Sequence, residues 1–296
     1  MVKVQVPATT ANFGPGFDCL GASLGLYNQI QIEFSTKPEV IVTGEGASEI
    51  PLDETNLVYQ AASRILEKGN IKKPLKITLN NNIPLARGLG SSAACIAGGL
   101  VATNHLTGDI LDNSELIKIA TEMEGHPDNV VTAIVGGFCL SMVYENKVYY
   151  KKFPVPFWLR FVVCIPEFEL KTEDTRKILP ETVSFQDAIY NTSHTAMVVA
   201  AMAQGDLTDM SIFCQDRLHQ PFRSKLIPGM EKILDSVIDK GAFAGFLSGS
   251  GPTVVCLTVR ERADMLGQHM VDVFSSEGIK SHYKVLSSDS EGVGFL

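Results

Sequence analysis

Apolar and polar residues alternate over residues 2–6, with Val2, Val4 and Val6 on one side and Lys3 and Gln5 on the other. That is the period of a half-buried strand. The alternation returns over 26–34, where Ile30, Ile32 and Phe34 share a face, and short apolar runs at 40–42 and 75–79 predict two more strands. Helical spacing appears over 56–69 (Leu57, Ala61, Ile65), closing on Lys68-Gly69, a helix stop. A second helix is predicted over 93–105, rich in small residues, and a third opens at Asn113-Ser114-Glu115, carries Leu116, Ile119 and Met123 on one face, and closes at Gly125. The apolar stretch 130–141, with Gly136-Gly137 inside it, predicts buried sheet or a tight turn. Pro154 and Pro156 make 151–158 the predicted domain boundary. A second αβ pattern follows: strand 159–165, helices over 185–203, 207–216 and 230–240, strand 253–259, helix 262–276 and a last strand over 283–286.

Between strand 75–79 and helix 93–105 stands Ile-Pro-Leu-Ala-Arg-Gly-Leu-Gly-Ser-Ser-Ala-Ala, residues 83–94. Gly88 and Gly90 let the backbone curl with positive φ, so that successive N–H groups can aim at one point. Ser91 and Ser92 then open a helix as cap residues and turn its first free N–H groups and positive dipole end the same way. Such a loop can cradle a polyphosphate, and taken alone it can equally be an ordinary capped strand-to-helix turn. It is neither a Walker A loop nor a Rossmann fingerprint. A serine-hydrolase elbow is a near miss, because Ala94 stands where the last glycine belongs.

The chain has 296 residues, 45% hydrophobic and 20% charged, with a formal net charge of −8. An ordinary globular protein of two domains is expected. The acidic balance argues against a nucleic-acid partner, which needs fields of lysine and arginine. It also makes each of the eight arginines near a pocket informative. Six scattered cysteines, with no C-x-x-C pair, fit reduced thiols in a cytoplasmic protein. The start of the chain lacks the apolar core of a signal peptide, and the most apolar stretch, 93–102, is half of the ~20 residues that a membrane span requires. No membrane association is expected.

Three further segments are polar and compact enough to carry chemistry. Residues 7–18 (Pro-Ala-Thr-Thr-Ala-Asn-Phe-Gly-Pro-Gly-Phe-Asp) form a loop after the first strand. Residues 122–129 (Glu-Met-Glu-Gly-His-Pro-Asp-Asn) gather carboxylates, an imidazole and an amide, and 248–253 (Ser-Gly-Ser-Gly-Pro-Thr) form another glycine loop. Singly, each also reads as a turn or a solvated helix end. Together with a phosphate-type loop they point to a nucleotide-dependent transferase.

In order along the chain, the glycine-bearing segments resemble the three motifs of the galactokinase–homoserine kinase–mevalonate kinase–phosphomevalonate kinase superfamily. The opening Pro-Ala-Thr-Thr-Ala-Asn-Phe-Gly-Pro-Gly-Phe-Asp-Cys-Leu-Gly and Gly125-His126-Pro127-Asp128-Asn129 resemble its homoserine kinase branch. The resemblance implies ATP-dependent phosphorylation of the side-chain hydroxyl of L-homoserine to O-phospho-L-homoserine, a step toward threonine. It implies an α+β fold in two lobes: an N-terminal ribosomal-protein-S5-like ATP-binding domain over 1–155 and a C-terminal ferredoxin-like domain over 156–296. It also implies a homodimer.

By the same resemblance Pro84, Leu85, Ala86, Arg87, Gly88, Leu89, Gly90, Ser91, Ser92, Ala93 and Ala94 wrap the triphosphate, and Asn56 belongs to the adenine pocket. Ser92 and Glu122 hold Mg²⁺, with Glu124 the competing carboxylate. Asn12, Asp18, His126, Arg176 and Arg223 form the amino-acid site; Asn129, Arg176, Thr172 and Asp128 stand near the reacting groups. The residue chemistry agrees: a zwitterion needs an arginine fork for its carboxylate and a carboxylate such as Asp18 for its ammonium. One departure is visible. Mevalonate kinase relatives carry a lysine in the first motif that pairs with a catalytic aspartate, whereas here the region is Thr9-Thr10. No strong general base is therefore expected, with Asp128 the alternative. A kinase of another small alcohol and a non-catalytic nucleotide sensor are the competing functions.

Overall fold

A computed structural model describes residues 1–296. Strands β1 (Val2–Asn12) and β2 (Gly16–Phe34) form a long antiparallel hairpin. Strand β3 (Glu39–Gly44) lies parallel to β4 (Leu75–Asn81), with α1 (Leu57–Lys68) in the crossover between them. Parallel neighbours cannot be joined by a tight turn, so this connection requires such an element. Helices α2 (Ser91–Leu106) and α4 (Pro127–Val135) pack on β1 and β2, and α3 (Asn113–Glu124) packs on both helices. The hairpin β5 (Phe138–Tyr144) and β6 (Lys147–Phe153) completes this lobe, turning at Glu145-Asn146, both with positive φ.

The second lobe begins with β7 (Leu159–Pro166) and continues through α5 (Thr172–Lys177), α6 (Phe185–Gln204), α7 (Met210–Phe213), α8 (Gln220–Arg223) and α9 (Met230–Asp239). Then come β8 (Ala244–Leu247), β9 (Val254–Val259), α10 (Arg260–Ser276) and β10 (Ser281–Leu286). Its sheet order, β10-β7-β9-β8 with every pair antiparallel, is the ferredoxin-like arrangement. The α+β, two-lobed architecture is as the sequence led us to expect.

The chain ends elsewhere than the expected second domain. After β10 it recrosses to the first lobe, where Ser287 and Ser288 lie beside Leu24 and Gly25, and β11 (Gly294–Phe295) pairs with β1. A division at 155/156 falls between β6 and β7, but the last ten residues run with the first lobe.

Three other differences have physical reasons. The segment 130–141 holds the end of α4 as well as β5; α4 is buried nearly all round, so its apolar run has no 3.6-residue period to mark it as helix. β6 lies within and before the expected boundary; it is an exposed edge strand rich in lysine and lacks an apolar face. β2 starts ten residues before the alternating run because its first half, with Gly21, Ala22 and Ser23, is covered on both faces.

Phe13, in the turn between β1 and β2, ties the lobes together. Its ring lies 4.9 Å from Phe138 of the first lobe and 4.7 Å from Phe246 of the second. Full burial of such a ring contributes about 1.5–3 kcal/mol. It anchors the loop that carries Asn12 and Asp18 between the two lobes.

Candidate active site

A cleft with an interior of about 100 Å³ lies where the lobes meet. One wall is the glycine loop between β4 and α2. Gly88 (φ +74°) and Gly90 (φ +68°) both lie in the left-handed region. A Cβ on Gly88 would stand 2.2 Å from the Ser248 carbonyl oxygen, and one on Gly90 1.9 Å from Thr9 Oγ1. Conformation and space therefore both demand glycine. Gly90 is the N-cap of α2 and offers no side-chain cap, so the first helical N–H groups and the positive dipole end stay open. Ser91 lines the cleft with a buried hydroxyl that has no hydrogen-bond partner. This cradle fits a polyphosphate.

Beside it, Ser92 Oγ donates to Glu124 Oε2 at 2.6 Å. Glu124 is the last residue of α3, where Gly125 (φ +89°) reverses the chain into the N-cap of α4, His126. Burial raises the Glu124 carboxyl above its ordinary pKa, and the Ser92 hydroxyl and His126 only partly offset this. A hydroxyl and a carboxylate side by side at a phosphate cradle are a hard-oxygen donor set that fits Mg²⁺.

The opposite wall is dense in charge. Arg176 of α5 makes a two-pronged ion pair with Asp18, Nη1 to Oδ2 at 2.9 Å and Nη2 to Oδ1 at 2.6 Å. Arg223, the last residue of α8, is buried and has no carboxylate partner. Its Nη1 donates to the Gly249 carbonyl at 3.0 Å and meets His219 Nδ1 at 3.3 Å, while Nε donates to the Thr175 carbonyl at 3.3 Å. Burial, then repulsion from Arg176, pushes its pKa down to about 10. Phe17 lies under both guanidinium groups, 5.3 Å from Arg176 and 5.2 Å from Arg223.

At the start of α4 the buried Asp128 Oδ1 accepts from His126 Nδ1 (2.6 Å), the Asn129 N–H (2.8 Å) and Asn129 Nδ2 (3.2 Å). Burial pulls the His126 pKa down, but Asp128, with Glu124 and Asp18, outweighs it and holds the imidazole above 6.5. Thr172 Oγ1 lies 3.3 Å from Ser250 Oγ, which brings the third glycine loop to the same cleft.

Comparison with known proteins fits this geometry. Residues 56–137 match the family described as GHMP kinases N terminal domain, and 198–272 match GHMP kinases C terminal. The chain is 45% identical to the homoserine kinase of Moorella thermoacetica over 293 residues, 99% of each chain, and 41% identical to that of Desulfitobacterium hafniense over all of both. Its structure superposes on crystalline homoserine kinase from Cytophaga hutchinsonii with a TM-score of 0.91, at 32% identity, covering 100% of this chain and 97% of that one. The chain belongs to the homoserine kinase family. A mevalonate kinase crystal structure, 17% identical over 97% of this chain and 100% of its own, shares the fold at a TM-score of 0.69.

Against the site expected of a homoserine kinase, most anticipated residues meet in the cleft. Asn12, Asp18, Pro84, Ala86 to Ser92, His126, Asp128, Asn129, Thr172, Arg176 and Arg223 all line it. Several do not take the expected place. Glu122 faces Lys118 at 3.9 Å on the outer side of α3, so the carboxylate beside Ser92 is Glu124; residues 122 and 124 lie on different faces of a helix. Asn56 is absent from the cleft wall: its Oδ1 caps α1 at the Val58 N–H and its Nδ2 donates to the Pro51 carbonyl. Leu85 packs over Gly46, and Ala93 and Ala94 face the core. The Asn12 amide donates to the Gly249 carbonyl and accepts from the Asp18 N–H, so it holds two segments of the site together.

Arg87 also turns its guanidinium away from the phosphate cradle. It donates to the carbonyls of Pro166 and Glu167 and pairs with Glu169 at 3.2 Å, docking the glycine loop on the second lobe. Sequence reasoning missed Phe17, Gly249 and Ser250 as members of the wall. All three lie in segments already marked as chemical, but an apolar ring beneath two cations is not announced by its residue type.

Proposed function

We propose that this chain transfers the γ-phosphoryl group of ATP to the side-chain hydroxyl of L-homoserine, giving O-phospho-L-homoserine for threonine biosynthesis. The observation that carries the substrate is Arg223, a buried guanidinium without a carboxylate partner in a cleft wall. A buried uncompensated charge is costly, and the carboxylate of an amino acid would relieve it. Asp18 and Arg176, paired with each other beside it, would give up part of that pairing to receive the ammonium and the other carboxylate oxygen.

The nucleotide's phosphates would lie in the cradle of Gly88, Gly90 and the α2 N-terminus. Ser92 and Glu124 would hold Mg²⁺, which neutralises phosphate charge during transfer. Asn129 would orient the acceptor hydroxyl. Asp128 has one oxygen bonded to three donors, an arrangement that fixes a charge rather than freeing a base. Transfer then rests on positioning and charge stabilisation. Thr172 and Arg176 would steady the moving phosphoryl group.

Action in the cytoplasm accords with six free cysteines and with the lack of any helix long and apolar enough to cross a membrane. A homodimer is supported by Met142, Tyr144 and Tyr149, exposed on one face of the β5–β6 hairpin. The functional test is coupled ADP release with homoserine, serine, mevalonate and galactose. ADP release well above background is expected with homoserine alone; turnover of mevalonate or galactose in its place would overturn the amino-acid reading, and no turnover of any would favour a sensor.

A further inference from the structure

Thr9 stands at the heart of the site without lining it. It is fully buried in β1, and its hydroxyl lies 2.7 Å from Asn129 Oδ1. The polarity of this contact is fixed by its far end. Asp128 Oδ1 is an acceptor, so the Asn129 group facing it at 3.2 Å is the amide NH₂. Oδ1 therefore faces Thr9, and the threonine hydroxyl must donate. Asp128 and Thr9 together lock the Asn129 amide from opposite ends.

The same hydroxyl touches the phosphate cradle. A Cβ at Gly90 would stand 1.9 Å from Thr9 Oγ1 and 3.3 Å from Asn129 Oδ1, and the Thr9 N–H donates to the Leu89 carbonyl at 3.1 Å. One side chain is thus in register with the group that would orient the acceptor hydroxyl and with the loop that would hold the donor phosphates. With one Oδ1 lone pair taken by Thr9, the other is left for an incoming hydroxyl.

We propose that Thr9 is a positioning residue for phosphoryl transfer, fixing the amide of Asn129 so that its oxygen accepts from the alcohol of the substrate. The proposal rests on the reading of the cleft as a homoserine kinase site. Its effect belongs to kcat, because Thr9 lies outside the surface that would bind either substrate.

Thr9→Val keeps the shape and removes the donor; Thr9→Ser keeps the donor. Leaving Asn129 Oδ1 without its partner is expected to lower kcat with homoserine about 10- to 100-fold, with nucleotide Kd within about threefold of wild type and Thr9→Ser close to wild type. A double-mutant cycle with Asn129→Ala separates positioning from packing. Once Asn129 is gone, Thr9→Val should cost nothing further. Should Thr9→Val fail to fold, Thr9→Ala takes its place in the cycle. Equal losses in the serine and valine variants, additive losses in the cycle, or a Thr9→Val kcat within about threefold of wild type would each overturn the proposal. Wild-type turnover of homoserine reads the underlying function separately, since its absence would strike that reading before any Thr9 variant is compared.

Discussion

The two walls of the cleft are built from different materials. The nucleotide side is backbone: left-handed glycines, a helix N-terminus and the tight approach of Ser248 and Thr9. The amino-acid side is side-chain charge: Asp18, Arg176, Arg223, His126 and Asp128, gathered from four places in the chain. A backbone site is specified by what its residues lack, so adding a carbon breaks it. A charged site is specified by balance, so removing one member leaves its neighbours uncompensated.

The largest effect therefore belongs to the glycines. Gly90→Val places a β-branched residue at φ +68° with its Cβ inside contact distance of Thr9. Strain and overlap together exceed about 3 kcal/mol, so nucleotide affinity by calorimetry should fall more than about 100-fold. Gly108→Ala is the control, because Gly108 has φ +92° but nothing within 4 Å of an added Cβ. It should reduce thermal stability modestly and leave nucleotide binding intact. Equal nucleotide affinity in Gly90→Val and wild type would end the backbone account of this wall.

On the charged wall, Arg223→Leu should raise the homoserine KM by the about 2–5 kcal/mol that losing one partner of a buried charge pair costs, with ATP binding within about threefold. Homoserine methyl ester, without the anionic charge, should be a poor wild-type substrate and lose much less in the variant. Equal losses for acid and ester would mean that Arg223 supports the fold through Gly249 and Thr175.

The difference between the walls also explains what could be read from the sequence. Gly88, Gly90, Ser91 and Ser92 fall within five consecutive residues, and a loop feeding a helix announces itself by composition. Arg176 and Arg223 carry no local sign of their partnership and were reached only through the family resemblance. Glu122 and Glu124 differ by which face of α3 each occupies, and that depends on where the helix ends at Gly125, a detail a periodic pattern does not resolve to one residue. Likewise α4 and β6 escaped notice because one is apolar on all sides and the other polar on both. The fold was legible where burial is one-sided, and the site where its parts adjoin.

The metal pair joins the two walls, and its expected effect is smaller. Glu124→Gln retains the hydrogen bond to Ser92 in shape but removes the charge, and should lower kcat about 10- to 100-fold with little change in homoserine affinity. Glu122→Gln, on the outer face beside Lys118, should stay within about twofold, as an exposed pair contributes under about 1 kcal/mol. A loss in Glu122→Gln without one in Glu124→Gln would return the assignment to Glu122.

The smallest expected effect lies in pH, where His126 on the charged wall and His219, buried behind it against Arg223, act with opposite sign. His126 is held above 6.5 because Asp128, Glu124 and Asp18 outweigh its burial. The folded state therefore keeps that proton longer than the unfolded chain does. The stability this adds is fully present below pH about 6.5 and is lost as pH rises through the raised folded value. His219 is the reverse: burial lowers its pKa, so folding favours the neutral ring that faces Arg223 and the Gly14 carbonyl. Its contribution is present above 6.5 and shrinks as pH falls toward the lowered folded value. Neither slope can exceed about 1.4 kcal/mol per pH unit, the limit for one proton. Urea unfolding from pH 5 to 9 should find His126→Gln missing the alkaline decline and His219→Gln missing the acid one. If both variants flatten the same limb, the two histidines do not sit in opposed fields, and the charged wall is not balanced as its geometry implies.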